Sequence, residues 1–99
     1  MRALAGEIRT ELPEAFIPAT SADELLLVYA LLSTVVGEGV ESRHVHDAWT
    51  VWKCITGQDH ASTVPFEQLS PEEQAKDDPY AEAIRRVARR HPPPSVPDR

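Results

Sequence analysis

The feature that most limits how this chain can fold is an apolar run over residues 25–36. Ser21 and Glu24 precede it at the spacing of a helix capping box, and Gly37 follows it as a common helix stop. A helix over residues 22–36 would be apolar on almost every side, so neighbouring elements must cover most of it. The run has about 12 residues, whereas a bilayer crossing needs about 20. It therefore predicts the central helix of a globular domain.

Apolar spacing and start signals indicate four further helices. Pro13 ends the first and is followed by an extended connector; Ser42 is the expected cap of the third helix, and Gly57 ends it. Ser70, with Pro71 after it, is the strongest start signal in the chain. The predicted helices cover residues 2–12, 22–36, 43–55, 71–76 and 78–90.

The third helix is expected to bury one apolar stripe against the central helix. Its side chains recur at helical spacing: Val45, Ala48, Trp49, Trp52 and Ile55. The proline in Val64-Pro65-Phe66 holds this later segment extended as an apolar anchor.

These elements predict a mainly α fold, a compact bundle of about five helices with short connections. A short strand at Val40 would allow a minor two-stranded element. We divide the chain into an N-terminal helix and connector (1–20), a helical domain (21–90) and a disordered proline-rich tail (91–99). A folded body this small is marginal alone, so self-association is an open alternative.

Charge is unevenly distributed along the chain. Residues 1–80 hold five Lys/Arg against fourteen Asp/Glu, whereas residues 81–99 hold five Arg against two acids. An acidic body is repelled by phosphate backbones, so we expect no nucleic-acid partner. The arginines of residues 85–90 fall in the last turns of a helix, where its dipole favours positive charge; a functional basic patch is the alternative.

Catalytic chemistry is not indicated. Cys54, the single cysteine, lies near a helix C-terminus, which disfavours a thiolate. The serines lack a nucleophile elbow, and the four glycines are scattered. His44 and His46 are two residues apart on a helix and point in different directions. We expect no enzyme, cofactor or metal site and, with one cysteine and no secretory or membrane segment, a cytoplasmic protein.

Motifs in the second half carry a family resemblance. His46-x-x-Trp49, Val64-Pro65-Phe66-x-x-Leu69 and the acidic stretch over residues 71–77 occur in order. Over residues 43–88 the chain resembles the ryanodine-receptor repeat (RyR) domain. It also resembles an uncharacterised family of actinobacterial and phage proteins with similar Val-His-x-Ala-Trp and Val-Pro-Phe motifs.

The RyR resemblance implies a small helical module with a short two-stranded element. Such modules occur as single copies in prokaryotes, including phage-conflict settings, where a role in sensing nucleotide-derived ligands has been suggested. It implies a ligand site in which Trp49 stacks on a base while Lys53 and the histidines reach phosphate or ribose oxygens. The candidate ligand-binding residues are His46, Trp49, Lys53, Asp59 and His60.

Three functions stay open at this point. The favoured one is a small non-catalytic module acting through protein–protein interaction or self-association, as a phage- or conflict-related accessory protein. Its partner would be a second copy or a basic protein. The second is an adenine- or NAD-derived nucleotide sensor. The third, a helix-turn-helix regulator, is disfavoured because the candidate reading helix has only Arg43 and Lys53 as fixed positive charges.

Overall fold

The computed structural model describes residues 2–57 and 64–91 of the chain. The expected tail over residues 92–99 lies outside this range, as does the segment 58–63. The α-helices are α1 (Arg2–Thr10), α2 (Ala22–Val35), α3 (Ser42–Ile55), α4 (Pro71–Ala75) and α5 (Asp78–Arg90). Single 3-10 turns occupy Glu14–Phe16, Gly37–Gly39 and Phe66–Gln68. No β-strand occurs in these two ranges, so the fold is all-helical and the prediction of about five helices is confirmed.

Helix α2 lies at the centre, because α1, α3 and α5 all pack against it. Leu25, Leu26, Tyr29 and Ala30 form its buried face. The covering is incomplete, since one outward side of α2 leaves Leu31 50% and Val35 72% exposed. The other elements complete a single core with Ala5, Ile8, Leu12, Val40, Val45, Ala48, Trp52, Ala81, Ala83, Ile84 and Val87.

The start of α2 differs from the predicted capping box. Ser21 is the residue before the helix, but it adopts a left-handed conformation (φ 56°) and its side chain makes no capping hydrogen bond. Its carbonyl oxygen accepts a hydrogen bond from the indole N–H of Trp52 at 3.0 Å. The start of α2 is therefore held by a long-range hydrogen bond from Trp52, and not by the local capping box that the sequence predicted.

The start of α3 is also capped differently from the prediction. Glu41, not Ser42, is the N-cap: its backbone N–H donates to Nδ1 of His44 at 2.8 Å, and its side chain accepts from the backbone N–H of His44. The Ser42 hydroxyl instead donates to the Asp78 carboxylate at the start of α5. Ser42 is therefore recruited to tie α3 to α5.

Two smaller predictions are wrong for geometric reasons. Val40 is not in a strand; it follows the Gly37–Gly39 turn, is buried, and its carbonyl accepts from the Arg85 guanidinium at 2.7 Å. Ile55 is not on the buried stripe but 72% exposed. Ten residues after Val45 the helix has turned about 1,000°, which is roughly 80° short of three full turns. The expected glycine stops are confirmed, with φ of 72° at Gly37 and 70° at Gly57.

The arginines of α5 are paired with acids, which accounts for the basic end of the chain. Arg85 and Arg86 contact Glu82 one turn back, and Arg89 contacts Glu38. Arg90 bridges to Glu7 of α1 and to Glu11 just after it, and so helps to hold α1 against α5. These are exposed or half-exposed pairs, each contributing at most about 1 kcal/mol.

Among the described residues, no helix is long and apolar enough to span a membrane.

Candidate functional site

A cleft of about 260 Å³ opens beside the predicted His46-x-x-Trp49 motif. Its floor comes from α2 and α3, through Tyr29 and His46, and one rim comes from the α4–α5 junction, through Asp77. Pro18 of the connector is also part of its wall.

The two tryptophans have different environments. Trp52 is buried in the core and is tied to Ser21 by its indole N–H. Trp49 is half-buried, lines the cleft and stacks on the imidazole of His46, with ring centroids 5.7 Å apart and 27° between the planes. Trp49 is therefore the indole that a bound molecule can contact.

Lys53 lies against the indoles, next to the cleft. Its Nζ lies over both rings, 5.5 Å from the centroid of Trp49 and 5.0 Å from that of Trp52. Such cation–π contacts contribute about 0.5–1 kcal/mol each at exposed sites. Lys53 therefore packs on the indoles and is not among the described residues that line the cleft.

His46 holds the cleft wall together. Its ring is buried, and Nε2 donates a hydrogen bond to the carbonyl oxygen of Val64 at 2.5 Å, which also assigns the proton to this nitrogen. The ring lies 6.0 Å from that of Phe66. Nδ1 faces the Asp77 carboxylate at 3.9 Å, beyond hydrogen-bond distance. His46 thus anchors the segment after residue 63 to α3.

Asp77 is the cleft residue whose carboxyl pKa is shifted most from its usual value. Its side chain is only 16% exposed, and it precedes α5 without making a capping hydrogen bond. Burial raises the pKa of this carboxyl to about 6; the neighbouring His46 lowers it, while Asp78 and Glu73 raise it further. A cleft carboxyl with such a pKa is a candidate for function.

Two tyrosines also line the cleft. Tyr80 donates its hydroxyl proton to the carbonyl oxygen of Phe16 at 2.7 Å and lies 5.8 Å, centroid to centroid, from Tyr29. Burial, together with the charge of Asp77, raises the pKa of Tyr80. Burial raises the pKa of Tyr29 far above its usual value, with smaller contributions from Tyr80 and Asp77. Both hydroxyls therefore stay protonated.

The structure brings only part of the predicted ligand set together. His46 and Trp49 line the cleft, and Lys53 lies next to it on the indoles. Asp59 and His60 lie outside the described residues.

Three functional candidates escaped sequence reasoning. Asp77 lies in an acidic stretch before a helix, where carboxylates ordinarily serve as caps, and Tyr80 lies at apolar spacing on the last helix. Tyr29 was hidden in the apolar run of α2, although a hydroxyl in such a run was a usable signal. Glu73 and Lys76, also at the cleft, are joined by an ion pair of 2.8 Å.

Other candidate sites have fewer functional side chains. No group of three or more His, Cys, Asp or Glu side chains that could hold a metal ion exists within residues 2–57 and 64–91. A larger groove of about 430 Å³ runs between α1 and α2. An ion pair between Arg9 and Asp23 (3.7 Å) lies in its wall, and no aromatic side chain lines it. We therefore take the smaller cleft as the candidate functional site.

Together these features define an all-helical domain with one aromatic and acidic cleft beside its central helix. The chain belongs to the family described as a domain of unknown function, DUF7701, whose model matches residues 1–89. No curated protein and no solved structure matches the chain at a significant level.

Proposed function

We propose that this chain is a non-catalytic binding module that docks a protein partner on the face carrying the Trp49 cleft. The supporting observation is that the half-buried indole of Trp49 lines an open cleft, whereas Trp52 is buried in the core. Tryptophan and tyrosine are enriched among the residues that carry binding energy in protein interfaces.

The size of the cleft favours a protein partner over a small molecule. Pockets that enclose drug-sized ligands have volumes of about 300–1,000 Å³. At about 260 Å³ the cleft is smaller than these and matches one inserted side chain better than a dinucleotide. A surrounding protein surface would supply the remaining contact area.

Self-association is the competing form of this proposal. Four large apolar side chains point outward on α2 and α3 and would suit a second copy better than the cleft does. They are Leu31, Val35, Val51 and Ile55.

The second candidate function is the nucleotide sensor implied by the RyR resemblance. Trp49 at the cleft favours it, because an indole face stacks on a base. Asp77 and Glu73 disfavour it, because both would oppose a phosphate. A thermal-shift panel of ATP, ADP-ribose and cyclic ADP-ribose tests it. A ligand at a hundred times its dissociation constant should stabilise the fold by about 2.7 kcal/mol.

The protein-docking proposal is tested by photo-crosslinking in the native host. A benzoylphenylalanine is placed at Lys76, on the cleft rim and 70% exposed, at Val35 on the outward face of α2, and at the exposed Thr10 as a control. We expect an adduct with one other protein from position 76 and none from position 10.

The position of the adducts decides between the alternatives. Adducts at twice the chain mass from position 35 alone would establish self-association and overturn the proposal. Equal adducts from positions 76 and 10 would also overturn it, because contact would then be unspecific. A nucleotide-induced shift without any adduct would favour the sensor.

A further inference from the structure

We propose that the cleft receives the cationic head group of a lysine or arginine side chain, held by Asp77, the Tyr29 hydroxyl and the Trp49 indole. This inference rests on the proposed function and names the chemistry of the partner: a segment that presents a basic side chain.

The first support is a carboxylate without a close counter-charge. Among described residues, the only cationic or potentially cationic group within 4 Å of the Asp77 carboxylate is the His46 ring at 3.9 Å. Lys76, next to it in the chain, is directed to Glu73 at 2.8 Å. A mostly buried carboxylate is costly unless something pairs with it. The site thus has the charge for a visiting cation.

The second, independent support is the Tyr29 hydroxyl. Tyr29 is 2% exposed and lines the cleft, and its hydroxyl forms no hydrogen bond within the described parts of the chain. Because no completely buried polar side-chain atom in those parts lacks a partner, this hydroxyl is open to the cleft. A tyrosine hydroxyl at the surface of a cleft can accept a hydrogen bond from a bound donor. Tyr80 donates its own proton to Phe16 and so retains a lone pair for an N–H donor. Both tyrosines can therefore accept from an ammonium or guanidinium.

The third support is the aromatic wall. Trp49, Tyr29 and Tyr80 all line the cleft, and cations are attracted to aromatic ring faces. A cation–π contact of this kind already exists within α3, where the Lys53 ammonium lies over the ring of Trp49. The acidic body of residues 1–80 adds long-range attraction for a basic segment.

The competing ligand chemistries fit less well. An anion would meet the Asp77 carboxylate, while the one lysine in the described cleft lining, Lys76, is already paired with Glu73. A neutral apolar side chain would leave the Asp77 carboxylate desolvated and the Tyr29 hydroxyl without a partner, which costs binding energy. A long basic side chain suits a volume of about 260 Å³ because its methylenes can lie on Trp49 while its head reaches the acid.

The test uses the full chain and two probe compounds, N-acetyl-arginine amide and its neutral isostere N-acetyl-citrulline amide. The readout is the pair of indole N–H signals in an NMR titration. Trp52 is an internal control, because its N–H is buried and bonded to Ser21. We expect the arginine compound to shift the Trp49 signal, the Trp52 signal to stay in place, and citrulline to bind at least about ten-fold more weakly.

Matched variants distinguish the effect of the Asp77 carboxylate from the effect of the overall negative charge of the chain. Asp77→Asn should weaken arginine binding about ten-fold, since a charge-assisted bond is lost. Glu24→Gln removes the same charge from an exposed position outside the cleft and should leave the Trp49 titration unchanged. Binding should also weaken as pH falls through about 6, where the Asp77 carboxyl becomes protonated. The titratable groups that face it are His46 on α3, Glu73 and Lys76 at α4, Asp78 and Tyr80 on α5, and Tyr29 on α2.

The outcomes distinguish the two proposals. Equal binding of arginine and citrulline, or an undiminished titration in Asp77→Asn, would overturn the cation inference. If crosslinking from position 76 still captured a partner, the proposed function would stand without it. An arginine-specific shift with no crosslinked partner would overturn the docking function and leave a site for a free cation.

Discussion

The indole N–H of Trp52 donates to the carbonyl oxygen of Ser21 at 3.0 Å, joining the last turns of α3 to the first turn of α2. Ser21 holds a left-handed backbone (φ 56°), which is unfavourable for a residue with a Cβ. The hydrogen bond thus helps to fix a strained, exposed junction to the buried Trp52 of the core.

Replacing Trp52 with phenylalanine should lower the free energy of unfolding by about 1–3 kcal/mol. The change leaves the Ser21 carbonyl without its indole donor and removes part of a buried ring. Urea unfolding followed by circular dichroism measures this. Trp49→Phe is the matched control and should cost less, since Trp49 is only half-buried. Equal losses in the two variants would contradict the assigned role of Trp52.

Ser21→Gly should stabilise the fold by roughly 0.5–1 kcal/mol, because glycine adopts positive φ without a Cβ penalty. No capping bond is lost, since the Ser21 side chain makes none. Ser70→Ala is the contrasting variant: the Ser70 hydroxyl accepts from the Glu73 N–H at 3.2 Å, so its removal should cost about 1 kcal/mol. Shifts in melting temperature of opposite sign would confirm both assignments.

Asp77→Asn should raise the stability of the unbound chain at neutral pH. Burial raises the pKa of this carboxyl from 3.8 to about 6, so the folded state binds its proton more tightly than the unfolded state does. The ionised carboxylate therefore destabilises the fold progressively as pH rises from about 4 to 6, by roughly 2 kcal/mol above that window. Asparagine avoids the penalty, and no capping bond is lost because the Asp77 side chain makes none.

The comparison of urea midpoints at pH 3.5 and pH 7.5 tests this. We expect Asp77→Asn and wild type to differ only at the higher pH. A variant that is less stable at pH 7.5 would show that the carboxylate supports the fold and would remove the evidence for a functional charge. A more stable variant that binds its partner less well is the expected signature of a binding residue.

His46→Ala should loosen the segment from residue 64 to residue 69 more than it loosens α3. The Val64 carbonyl loses its hydrogen bond to Nε2, and both Trp49 and Phe66 lose a ring contact. Hydrogen exchange should quicken in this segment, and the total loss of stability should be about 2–4 kcal/mol. His44→Ala, which removes a half-buried cap partner of Glu41, is the control and should leave the segment protected.

Helical periodicity predicted most of the fold because each helix buries a face whose spacing is set locally. The apolar run of α2, the Gly37 and Gly57 stops and the Ser70-Pro71 start all occur as the sequence indicates. The two other helix starts were misassigned because tertiary contacts decide them. Ser42 bonds to Asp78, thirty-six residues away, and Ser21 uses its backbone oxygen for Trp52.

The sequence predicted only part of the cleft. His46 and Trp49 lie one turn apart, so their stacking follows from helical geometry. Asp77 lies thirty-one residues from His46, and Tyr29 lies on another helix, so no spacing relates them. Acidic residues before a helix are ordinarily caps, and only the observed absence of a capping bond separates Asp77 from that role.

The hydrogen bond from His46 to Val64 has a consequence for how the chain tolerates variation. Gly57 is hydrogen-bonded to Cys54 at the end of α3, and Val64 is hydrogen-bonded to His46 two turns earlier. The chain is therefore attached to the same helix at both points. The closure entropy of an intervening stretch grows slowly, by only about 0.6 kcal/mol for each doubling of its length. Residues inserted between these two attachment points should therefore leave the packing of the helical scaffold unchanged.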